Sequence, residues 1–215
     1  MESEGVPETF APSATALRLM RRCIGLSSHA VEHGELPFAA VIARGEEIIV
    51  EATNRTRADA DVTRHAELVA ICAAQKKLGR TSLDGLTLYT NAEPCACCSY
   101  AAREARLSAV YFGLTSPLMG GVTRWDVLGD AQLSGRLPEV FAPPPLIVAG
   151  FLADEADAAL RRAAPLIWAG SRLRGFFVPA TVSVQAPTWT VPQKLVGWAM
   201  KRLRAALFDR IASRN

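Results

Sequence analysis

Pro94-Cys95-Ala96-Cys97-Cys98 crowds three of the chain's five cysteines into four consecutive positions, and this cluster constrains the fold more than any other stretch. Cysteines this close in sequence pair with each other only under strain, and five is an odd number. A metal or redox site is therefore a better reading than a disulfide framework. Pro94 suits a helix start, where a missing N–H costs nothing. Cys95 and Cys98, three apart in a first turn, then share one face and can grip one ion, while Cys97 turns away as a small packing residue. The positive end of such a helix favours the thiolate that a metal requires. Two thiolates do not complete a site, and the chain has three histidines. His65, at the start of another helix and followed two positions later by Glu67, supplies the third ligand. Three protein ligands leave a fourth position open to water, where structural zinc takes four, and a carboxylate beside that water can move its proton. Such a chain has to bring two helix starts together.

The periodicity around these residues predicts how. Thr15 to about His33 reads as a helix with Leu17, Met20, Ile24 and Val31 inward, ended by Gly34. PFAAVIAR and EEIIVEAT read as a hairpin across Gly45. Arg64 to Leu78 reads as a helix with Leu68, Ile71, Cys72 and Leu78 inward and Gly79 as its cap. A strand at Leu86–Thr90, a helix from about Ala96 to Ala105 and a strand at Ala109–Phe112 follow. A Gly/Pro-punctuated segment then holds one short helix near Trp125–Leu133, LIVAGF is a last strand, and a last core helix runs from Asp154, its N-cap, to about Ala169. Strands alternating with helices predict an α/β chain: a three-layer α/β/α sandwich on a mixed five-stranded sheet, plus a C-terminal amphipathic helix. The expected organisation is an N-terminal arm at 1–14, a domain at 15–175 and an extension at 176–215.

Charge excludes some partners. From Thr190 onward there are six Lys/Arg against one acid, so residues 1–189 carry 18 basic and 20 acidic side chains, and the formal net charge of +3 belongs to the tail. A near-neutral body is a poor phosphate-tracking surface, which ranks nucleic acid second to a small molecule as partner. No apolar run approaches the roughly 20 residues needed to cross a bilayer, and the acidic, proline-bearing start lacks a signal-peptide core, so a cytoplasmic location is expected. The tail stripe Val196, Met200, Leu203, Leu207 and Ile211, beside Lys201, Arg202, Arg204 and Arg210, suits packing on the body or a sister subunit first. Peripheral membrane contact and nucleic-acid contact are the alternatives.

His65-Ala66-Glu67 followed by Pro94-Cys95-Ala96-Cys97-Cys98 resembles the H-x-E … P-C-x-x-C signature of the cytidine deaminase-like zinc deaminases. Pro37-Phe38-Ala39-Ala40-Val41, Asn54-Arg55, the run from His65 to Ile71, and Glu93-Pro94-Cys95 are similar to the guanine deaminase and tRNA adenosine deaminase branch, and the likeness covers about residues 15–170. The resemblance implies one Zn2+ per chain with a bound water or hydroxide, held by His65, Cys95 and Cys98, with Glu67 shuttling the proton. It also implies that the Asn54 side chain and Ala66 N–H hold a ring carbonyl, that the Glu93 carbonyl receives the departing amino group, and that Phe38 walls the ring. The reaction implied is hydrolytic deamination of a free nucleobase or small aminated heterocycle by a homodimer, guanine-like first, with cytosine, an aminotriazine or a nucleoside also open. A tRNA adenosine deaminase and a non-catalytic zinc-containing binding module are the alternatives. Two departures count: Ala39 stands where the family has Gly, and Thr115-Ser116-Pro117 stands where the tRNA enzymes carry an acid.

Five further residues are ambiguous by sequence. Trp125 either stacks on a substrate ring or packs the short helix, and Asp126 either bonds an exocyclic amine or caps it. Asn54 serves the substrate or merely a turn. His29 and His33, one helical turn apart, suit either a metal ion or helix-end capping.

Overall fold

Residues 11–185 are described by the computed structural model, and the central strands of their sheet bury both faces, as strands covered by helices on each side must. The elements are α1 (Ala14–Glu32), β1 (Ala39–Arg44), β2 (Glu47–Thr53), α2 (Ala66–Leu78), β3 (Thr87–Ala92), α3 (Ala96–Glu104), β4 (Ala109–Leu114), α4 (Ala131–Arg136), β5 (Leu146–Ala149), α5 (Ala153–Ala163), α6 (Pro165–Arg174) and β6 (Ser183–Gln185). They build one mixed sheet in the order β2-β1-β3-β4-β5-β6. β1 runs antiparallel to both β2 and β3, β3–β4 and β4–β5 are parallel, and β6 returns antiparallel to β5. The five expected strands are present, and β6 adds a sixth at the edge.

Side chains alternate along each strand, so the two faces carry different cores. Ala40, Ile42, Leu88, Val110, Phe112 and Ile147 face α2 and α3. Ala39, Val41, Ala43, Tyr89 and Val148 face α1 and α5. Three layers result, with β1, β3 and β4 at the centre. The inward face of α2 is made of Ala66, Glu67, Ala70, Ile71 and Ala74; of the four expected inward residues only Ile71 is fully buried, because small alanines let this helix lie close to the sheet.

Three local expectations are corrected. The short helix starts later, at Ala131, with Asp130 as the N-cap that accepts from Gln132 N at 2.7 Å. Asp154 lies in the first turn of α5, whose N-cap is Leu152 at φ +54. The last helix is two helices, because Pro165 cannot continue α5 and instead opens α6 at its first turn. No helix among the described residues is long and apolar enough to cross a membrane. The C-terminal amphipathic helix expected at Gln193–Ile211, and most of the N-terminal arm, lie outside the described residues.

Candidate active site

His65 is the N-cap of α2 and Cys95 the N-cap of α3, both with extended backbone, and neither side chain caps its own helix. Ser, Thr, Asp and Asn usually hold this position because their oxygens accept a first-turn N–H. An imidazole and a thiol at the N-cap are free to point elsewhere, and here they point at each other. His65 Nδ1 lies 3.5 Å from Cys95 Sγ and 3.5 Å from Cys98 Sγ, and the two sulfurs are 3.5 Å apart. A tetrahedral zinc with bonds of about 2.3 Å to sulfur and 2.0–2.1 Å to nitrogen separates its ligand atoms by roughly 3.5–3.8 Å. The triangle fits such an ion, and its donor set of two thiolates and one imidazole suits zinc.

The electrostatics agree with that geometry. Hydrogen bonds from Cys98 and His65 bring the Cys95 thiol down to about 4, against its burial, which makes it a ready thiolate. The hydrogen bond to Cys95, together with burial, pushes the Cys98 thiol up, a cost that a cation among the three offsets. The hydrogen bond to Cys95 raises His65.

Glu67, in the first turn of α2, is buried at 7 % exposure. One carboxylate oxygen lies 3.6 Å from Cys98 Sγ and the other 3.3 Å from Thr90 Oγ1. The Ala92 carbonyl lies 3.0 Å from the same hydroxyl, so its single proton has two acceptors, Glu67 and Ala92. Burial raises the Glu67 carboxyl above its ordinary range. A carboxyl that can take and return a proton beside a metal-ligand triangle is the arrangement acid–base catalysis requires.

A cavity of about 240 Å³ opens over this cluster. His65, Glu67, Cys95, Ala92 and Glu93 form its floor, while Leu36, Phe38, Asn54, Ser116 and Met119 flank it. Phe176 and Phe177 close it from the far end of the chain. Asn54 Oδ1 accepts from Thr56 N and Thr56 Oγ1 at 3.0 and 2.8 Å. Asn54 thus makes the turn with its oxygen, and it also lines the cavity.

Glu93 does more than its backbone suggested. Its buried carboxylate accepts from Ser116 N, Val122 N, Thr123 N and Thr123 Oγ1 at 2.6–2.9 Å, latching the loop 116–123 onto the start of α3. Gly121 N donates to the Pro94 carbonyl and completes the join. Arg103 fixes the next stretch. Only 1 % exposed, it donates to the carbonyls of Val127, Leu128, Asp130 and Ala142 and to Ser134 Oγ.

The two loop candidates fall elsewhere. Trp125 is 57 % exposed with the Arg124 guanidinium over its ring, and Asp126 sits at φ +50; neither lines the cavity. The carbonyl contacts of Arg103 dictate the path of this segment, and it carries Trp125 outward. Ala66 is fully buried as the first residue of α2 and adds no lining atom. Cys97 is exposed rather than packed. Sequence reasoning missed Phe176 and Phe177, whose only signal was the aromatic pair before a proline-broken β-rich stretch.

Residues 13–114 match the family described as the cytidine and deoxycytidylate deaminase zinc-binding region. The chain is 36% identical over 143 residues to the tRNA(Ile)-lysidine synthase of Deinococcus deserti, an overlap of 66% of this chain and 25% of that protein, so it spans about a quarter of that relative's length. It is 36% identical over 118 residues to the tRNA-specific adenosine deaminase of Aquifex aeolicus, 54% of this chain and 78% of that one. A solved structure from a study of A-to-I editing by tRNA:A34 deaminases shares 30% identity at a TM-score of 0.57, covering 67% of this chain and 99% of that one.

Proposed function

The chain belongs to the cytidine and deoxycytidylate deaminase zinc-binding family, its cofactor is zinc, and we propose that it hydrolyses the amino group of a free nucleobase or small aminated heterocycle, guanine-like first. The observation that carries the choice of a small substrate is the wall made by Phe176 and Phe177. These aromatics come from the chain's own late segment and line a cavity of about 240 Å³, a volume that suits a ring system. The phenyl ring of Phe177 stands 5.3 Å from that of Phe38, and the Thr115–Val178 backbone pair pins the segment in place. A guest offered Asn54 Nδ2 donors must present an acceptor, which favours a ring bearing a carbonyl.

In this reading His65, Cys95 and Cys98 hold the ion. When bound, zinc supplies Lewis acidity that lowers the pKa of water from ~15.7 to about 7. Glu67 takes the proton from the attacking water and returns it to the amino group. The Glu93 backbone carbonyl receives that group as it leaves, and ammonia and a ring carbonyl are the products. Asn54 Nδ2 orients the ring, and Phe38 stacks beside it. Action in the cytoplasm as a homodimer belongs to the same reading, with sedimentation as the check on the dimer.

A tRNA adenosine substrate is the second reading, favoured by the likeness to the Aquifex aeolicus protein and the tRNA:A34 deaminase structure. One experiment separates the two. Ammonia release is measured from guanine, cytosine, adenine, isocytosine, aminotriazines, their nucleosides and a tRNA anticodon stem, for the natural chain and Glu67→Ala at equal zinc content. Turnover of a free base that vanishes in the variant supports the proposal. Turnover confined to the stem replaces it with the second reading, and no turnover in either protein ends both.

A further inference from the structure

A second group of metal-ligating side chains lies at the far end of α1, in the sequence His29-Ala30-Val31-Glu32-His33. His29 and His33 stand four apart and so share a helix face, with ring centroids 4.1 Å from each other. Two histidines at this spacing on a helix form a general two-point grip on a transition ion. Glu32 joins them: its carboxylate oxygen is 3.2 Å from His29 Nδ1, close to the roughly 3.3 Å edge of a tetrahedron with bonds of about 2.0–2.1 Å. One donor atom from each of the three residues falls within 4.8 Å of the others.

The contact by which the His33 side chain caps the helix end also prepares its ring as a ligand. His33 Nδ1 lies 2.9 Å from the His29 carbonyl oxygen, and an oxygen acceptor there requires Nδ1 to carry the proton. The lone pair is thereby fixed on Nε2, which has no protein partner among the described residues. Metal-bound histidines are held in this same way, by a backbone or carboxylate acceptor on the ring nitrogen that does not bind. The local field also suits a cation, because the helix ends here, with His33 as its C-cap, and its carbonyl end carries partial negative charge. The guanidinium of Arg57 is turned to the Gly34 carbonyl at 2.9 Å.

We propose that His29, Glu32 and His33 form a second divalent-metal site, an exposed N,N,O set for Zn2+ or a similar transition ion, separate from the cysteine-rich cluster. The site has a route to the pocket. His33 is followed by Gly34 at φ +79 and by Glu35, whose buried carboxylate accepts from Ala58 N at 2.7 Å, and Leu36 then lines the cavity. An ion here clasps the last turn of α1 three residues before Leu36 of the cavity.

The test uses the full chain already carrying one zinc, dialysed against excess Zn2+, with bound metal counted and the histidine ring signals followed by NMR. The chain has three histidines, so each signal is separable. The expected result is two ions per chain, with the second shifting the His29 and His33 signals and leaving His65 in place. His33→Ala weakens the second binding event roughly tenfold or more, and His29→Ala/His33→Ala returns the count to one. A natural chain that stops at one ion, a double variant that still takes two, or a second ion that leaves the His29 and His33 signals unmoved overturns the proposal.

Discussion

The two walls of the cavity are built in opposite ways. The zinc-side wall comes from two helix starts and one latched loop. Its charged and polar groups are buried and bonded, and its glycines sit hard against them: a Cβ on Gly121 would collide with Ser99 Oγ. The opposite wall comes from Phe176 and Phe177, half-buried rings on a segment tied by the Thr115–Val178 pair and by β6 on the edge of the sheet. The first wall positions atoms that must react, and the second bounds the space a guest can fill. Chemistry and selectivity should therefore respond to different substitutions.

The strongest break is Cys98→Ser, which removes a ligand at a buried position. Zinc content should fall from one per chain to near zero, with deaminase turnover lost alongside it, both read on the same preparation. Full zinc retention in this variant would falsify the ligand assignment. Next is Glu93→Ala, which removes a buried carboxylate and strands the three backbone N–H groups that it accepts from. It should cost about 3–5 kcal/mol by chemical denaturation. A cost below 1 kcal/mol would mean that the loop holds itself.

The glycines sharpen the contrast. Gly150 is at φ +71, and a Cβ there would stand 2.6 Å from the Thr181 carbonyl oxygen, beneath the strap that carries Phe177. Gly150→Ala should keep its zinc and raise KM, while Gly121→Ala should lower zinc affinity and kcat together. Identical behaviour of the two variants would erase the distinction between the walls. The smallest effect belongs to Phe177→Ala: about a tenfold loss of kcat/KM on the preferred base, with a relative gain for bulkier analogues and no change in metal content. Uniform loss across all analogues would make Phe177 a packing residue only.

This division also explains what could be read from sequence. The ligands, Glu67 and the two helix starts lie in short local motifs, and local motifs survive without knowledge of the fold. The layers followed from alternation along strands such as Ala39–Arg44, whose residues face two cores in turn. Trp125 and Asp126 could not be placed, because their path depends on Arg103 reaching the carbonyls of residues 24 to 39 positions away. Phe176 and Phe177 were hidden for a related reason. Their position depends on β6 pairing with β5 across more than thirty intervening residues. The break at Pro165 was missed, although a proline inside a helical pattern announces one.

The order of the two walls along the chain has a consequence for synthesis. His65, Cys95 and Cys98 leave the ribosome before Phe176, the last of them by 78 residues. At 5–20 residues per second that interval is about 4–16 s. During it a nascent chain already carries every zinc ligand while the aromatic wall does not yet exist. Metal can thus reach its ligands before Phe176 and Phe177 line the cavity, and depletion of zinc during translation should leave a defect that later addition repairs slowly.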